Sequence, residues 1–183
     1  MNLVLTNQKM SLLAVNIILG AILIYSYYHY ITKGGVPINT LWGKVGKVKN
    51  LYLLSMILTF IGYMALLIFV VLKTPNTKIN GAMISNLMVI QVIIITISMI
   101  WLPMTLLYLK ERSNKQLTMF AVLVTLFIVA LASAKQFLIV RNLTPENNQC
   151  ARTMKTLGVL GAGYFFVHTF FFDFLGWNIG FFS

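Results

Sequence analysis

Apolar residues run along this chain in five blocks, 11–31, 51–72, 81–109, 117–140 and 157–182, separated by four short polar connections. Each block is long enough to cross a bilayer core as a helix, which takes about 20 residues. The pattern predicts an all-α fold: a polytopic integral membrane protein, built as a bundle of five transmembrane helices in a single domain over residues 1–183. In lipid, such helices satisfy their own backbone groups and pack by close contact.

The first connection, 32–50, carries a pattern of its own. Gly34, Gly35 and Pro37 end the first helix. Ile38, Leu41, Trp42, Val45 and Val48 then recur at helical spacing among Lys44, Lys47 and Lys49. This predicts a short amphipathic helix lying in the interface, with Trp42 inward and the lysines on lipid head groups. Just before it, Tyr25, Tyr27, Tyr28 and Tyr30 flank His29. Tyrosines gather where an apolar ring and a wet hydroxyl are both accommodated, so this cluster marks a membrane boundary.

Composition narrows the class. Hydrophobic residues make up 59% of the chain and charged residues 9%, against about 25% charged in a soluble domain. The formal net charge of +11 comes from 14 Lys/Arg against three acids. The cations sit at block ends and in connections, so the expected partner is a lipid bilayer with anionic head groups, not nucleic acid. Five spans place the termini on opposite sides. Six Lys/Arg fall on the N-terminal side and seven on the other. The dense first connection makes that other side the inner one, with the C-terminus inside. The first block is too long for a signal-peptide core and lacks a cleavage motif, so it is expected to stay as an anchor. Cys150 is the single cysteine, and no Cys/His metal spacing exists. No metal or cofactor is expected.

Ionisable groups inside a membrane are functional candidates by default. Asp173 stands among Phe170, Phe171, Phe172 and Phe174, with His29, Lys33, Lys110 and Arg112 as charge partners at its level. His168 lies five residues before it. On an α-helix that offset turns the two about 140° apart, so they share no face. Lys135 lies near a span end and its stem reaches the surface. Gln91, Ser98 and Thr105, spaced by seven, form a polar stripe on the third helix, with Asn16 as a partner at similar depth. Pro103 should kink that helix and free the Met99 carbonyl for Ser98 or Thr105. Ala130 and Ala134, with Gly158, Gly161 and Gly163, give small-residue spacings on either side of the fourth connection. They predict a tight antiparallel hairpin of helices four and five, with the phenylalanines turned to lipid or a partner.

The chain has no HExxH, GxSxG, P-loop or paired carboxylates. The expected function is therefore non-enzymatic: a structural or accessory subunit of a larger membrane assembly, in contact with other membrane proteins or with itself. A small channel or carrier with a polar cavity around Asp173, His168 and Gln91 is the second reading. An intramembrane binder of a lipid, sterol or tetrapyrrole is the third.

Overall fold

The structure is a computed structural model that describes residues 6–110 and 115–182. The side chains of Ile38, Lys44, Val45 and Lys47 lie outside the description. Among the described residues there is no strand. The helices are α1 (Asn7–Lys33), a 3₁₀ segment (Ile38–Val48), α2 (Lys49–Lys73), α3 (Lys78–Lys110), α4 (Lys115–Asn142) and α5 (Gln149–Val167). A π-helical segment (His168–Trp177) and α6 (Asn178–Phe182) continue α5 without a break. Among the described residues, five helices, with α5 through α6 taken as one, are long and apolar enough to cross a membrane.

The order around the bundle is α1, α3, α4, α5, α2. The pairs α2–α5 and α3–α4 make the broadest contacts, and α1 lies mainly on α3. Helices four and five do lie against each other, but the small residues expected to draw them together serve mainly another pair. The glycines of α5 face α2: a Cβ on Gly62 would stand 2.7 Å from the Gly161 Cα, and one on Gly158 would stand 3.1 Å from Phe69. Gly163 alone turns to α4, against Phe137. Ala130 is buried and Ala134 half-buried. Backbones can approach this closely only where neither residue has a side chain in the way, and Gly62 supplies the second bare position.

At the N-terminal end, two connections are tied together by the buried Asn80. Its Nδ2 donates to the Pro75 and Thr144 carbonyls, each at 3.1 Å, and its Oδ1 accepts from the Thr144 N–H at 3.2 Å. The Glu146 N–H donates to the Lys73 carbonyl at 2.9 Å, and Asn148 caps α5 by accepting from the Ala151 N–H at 2.8 Å. Lys9, expected as a surface cation, is buried here and donates to the Thr74 carbonyl at 2.6 Å. Carbonyls past the end of a helix carry its negative pole, which draws an ammonium.

The opposite end is closed by aromatic rings. All three tryptophans converge there: Trp101 meets Trp177 edge-on at 5.4 Å, and Trp42 joins through Tyr52 at 6.1 Å. Trp177 stacks on Phe181 at 4.2 Å and donates its Nε1 hydrogen to the Leu41 carbonyl at 3.1 Å. The first connection is thus docked on the C-terminal turn. It is helical as expected, but in the tighter 3₁₀ form, where residues three apart eclipse. Gly35, at φ +66°, makes the turn that leads into it.

The glycine contact yields a direct test. Gly161→Leu should lower the midpoint of thermal unfolding in detergent by an amount equivalent to about 1–3 kcal/mol or more, the usual cost of overpacking. Gly20→Ala, where an added Cβ meets nothing within 4 Å, should leave the midpoint unchanged or slightly raised.

Candidate functional site

The π-helical segment brings together the two groups that α-helical geometry would separate. Hydrogen bonding from i to i+5 widens the turn, so residue 173 comes back over residue 168. His168 Nε2 lies 3.5 Å from Asp173 Oδ1. The expectation that they share no face is therefore corrected: it assumed 3.6 residues per turn through a segment that does not have it. Such π-turns occur often at functional sites.

The other face of the imidazole completes a line. His168 Nδ1 is 2.8 Å from the Ser55 hydroxyl on α2, which is 3.0 Å from the Tyr164 hydroxyl on α5. The sequence Tyr164–Ser55–His168–Asp173 runs along the α2–α5 seam. Ser55 and His168 are buried, and Tyr164 and Asp173 half-buried. Phe172 stacks on the imidazole at 5.6 Å, and its carbonyl accepts from the Tyr52 hydroxyl at 3.1 Å. Hydroxyls and a neutral imidazole each donate and accept, so the line has the make-up of a proton relay. It also has the residue types of a hydrolytic triad. A nucleophile must reach a substrate, however, and Ser55 is 2% exposed with its hydroxyl held between Tyr164 and His168.

Asp173 makes no ion pair with His29, Lys33 or Lys110 among the described residues, and Arg112 lies outside them. His29 is exposed beside the Tyr25 and Tyr30 rings. Lys33 and Lys110 are exposed at their helix ends. Lys135 is exposed on α4. Of the lysines expected on head groups, Lys49 lies 5.6 Å over the Trp42 ring; the side chains of Lys44 and Lys47 lie outside the description.

The polar stripe on α3 is divided among separate bonds. Gln91 is fully buried and accepts through Oε1 from Asn16, whose Oδ1 accepts from the Tyr63 hydroxyl. These three residues tie α1, α2 and α3 at one level. The Ser98 carbonyl accepts from the Tyr27 hydroxyl at 3.0 Å. Thr105 donates to the Trp101 carbonyl at 2.9 Å, not to that of Met99 as the Pro103 argument anticipated. Among the described residues, Gln91 Nε2 and both polar atoms of Gln136 are buried without a protein partner. On the α4–α5 side, Ser133 and Thr169 join at 2.6 Å. Of the phenylalanines expected to face outward, Phe171 is exposed, while Phe172 and Phe174 pack against Tyr52 and Phe127.

Ser55, Tyr164 and Lys9 did not stand out in the sequence. A serine in an apolar block gives no sign of facing a histidine 113 positions away. Among the described residues, no group of three His, Cys, Asp or Glu side chains is placed to hold a metal ion.

Ser55→Ala should destabilise the bundle by about 1–2 kcal/mol, since it strips partners from both His168 and Tyr164. Ser26→Ala, on the half-buried face of α1, should change stability by less than about 0.5 kcal/mol. Unfolding in detergent, followed by circular dichroism, measures both. No protein-family model matches this chain, and neither a curated protein nor a solved structure matches it.

Proposed function

We propose that this chain is an integral membrane protein, with its termini on opposite sides of the bilayer, that serves as a non-enzymatic subunit of a larger membrane assembly. The observation that carries the reading is the thin attachment of α1. This 27-residue helix buries only Lys9 and Leu12 against the rest of the bundle. Ile17, Ile18, Ile22 and Ile24 are exposed along it, followed by Tyr25, Tyr28 and His29. An apolar stripe that ends in hydroxyls and an imidazole fits the flank of another membrane helix, which offers polar partners where acyl chains offer none. Ser55 with His168, Asn16 with Gln91 and Ser133 with Thr169 join side chains across helices, and this suits a scaffold.

A second reading rests on one specific observation, the Tyr164–Ser55–His168–Asp173 line. A relay that starts at a half-buried carboxylate suits a small carrier that couples transport to proton movement.

Extraction in mild detergent followed by native mass spectrometry separates the two. The subunit reading expects a stoichiometric second protein or a defined self-oligomer. It also expects Asp173→Asn to keep assembly and stability within about 0.5 kcal/mol. A lone chain, with Asp173→Asn folded but unable to move protons in liposomes, would replace it with the carrier.

A further inference from the structure

At the N-terminal end of the bundle, Arg141, Lys155, Val159 and Leu160 line an open hollow of about 400 Å³ between the last turn of α4 and the second turn of α5. Its chemistry is graded along the helix axis. Arg141 is exposed and Lys155 half-buried at the outer rim. Val159 and Leu160 follow one turn further in, and Leu160 is 64% exposed. Neither cation has an acid partner among the described residues. The acid nearest in sequence, Glu146, points elsewhere: its backbone is bonded to Lys73, and its carboxylate accepts from Asn148 at 3.3 Å. Thr156 also lines the hollow, but its hydroxyl donates to the Arg152 carbonyl at 3.2 Å.

We propose that this hollow is a binding site for one anionic phospholipid, with the phosphate held between Arg141 and Lys155 and an acyl chain lying on Val159 and Leu160. The proposal rests on the reading of α4 and α5 as membrane spans. Two unpaired cations above an exposed apolar wall match a phosphate joined to a hydrocarbon chain, and no water-soluble anion uses the wall. A basic pocket between helices at the head-group level is the recurring form of such sites. The guanidinium brings a planar pair of donors to phosphate oxygens, and the ammonium adds a point charge. The site differs from the lysines of the first connection, which belong to the opposite end of the bundle.

The test uses the full chain in detergent, with phosphatidylglycerol, phosphatidylcholine and inorganic phosphate as probes in native mass spectrometry. The expected result is one retained phosphatidylglycerol, bound about tenfold or more tightly than phosphatidylcholine, as two cations near a head group imply. The double variant Arg141→Gln/Lys155→Gln should lose that preference. Lys33→Gln/Lys110→Gln, which removes the same charge at the other end, should keep it. Equal binding of the two lipids would overturn the proposal, as would an unchanged preference in the first double variant. Displacement of the lipid by inorganic phosphate at millimolar concentration would also overturn it, because it would assign the site to a free anion. Circular dichroism of each variant separates loss of the site from loss of fold. Release of the chain from membranes by alkaline carbonate would instead refute the membrane reading on which the proposal stands.

Discussion

The approach of α2 to α5 at Gly62 and Gly161 governs what happens along the rest of that seam. Bare backbones meet there, so the two helices run closer than side-chain packing would allow. Ser55 lies seven residues before Gly62, and His168 seven residues after Gly161. In antiparallel helices those equal steps reach the same level, and the Ser55–His168 bond of 2.8 Å is the result. Tyr52 meets Phe172 one turn beyond. In the other direction, Phe69 fills the space over Gly158. A bond under 3 Å between short side chains on neighbouring helices requires close axes, so the polar line depends on two missing methyl groups.

The π-helical segment does the complementary work on α5. It lets Asp173 return to His168, and it sets the direction in which the last turn leaves the bundle. Trp177, Phe181 and Phe182 then reach Trp101 and Tyr108 and roof one end with rings. Trp177 also holds the first connection through the Leu41 carbonyl. One local change of helical pitch therefore shapes both the polar site and the aromatic closure.

The five long apolar helices were legible because block length and hydropathy are properties of single segments. The pairing of helices was harder to read. Gly158, Gly161 and Gly163 announced a contact face, but the partner of Gly161, Gly62, stands alone in its block with no small residue four positions away. It has the form of an ordinary glycine in an apolar run. The relation of His168 to Asp173 was misread for a different reason: angular arithmetic assumes α-helical pitch, and nothing in the residues 168–177 declares the wider turn. Lys9 resembled any lysine at a span end, because burial under the carbonyl of Thr74 depends on where α2 finishes. Asn16 was readable as a partner of the polar stripe on α3, since depth can be counted along each helix, and the structure gives it Gln91.

Three polar points locate α1: Lys9 on Thr74, Asn16 between Gln91 and Tyr63, and Tyr27 on the Ser98 carbonyl. They are seven and eleven residues apart, close to two and three full turns, so all three lie on one face. In the membrane reading, hydrocarbon around the helix exerts no preference among its apolar positions, because lipid tails are as apolar as isoleucine. A slide by one turn or a rotation by a quarter would break all three attachments together. The helix that buries least is in this sense the most strictly addressed: its register is written in a few hydrogen bonds, like a key cut at three depths, while its outer surface stays free to change.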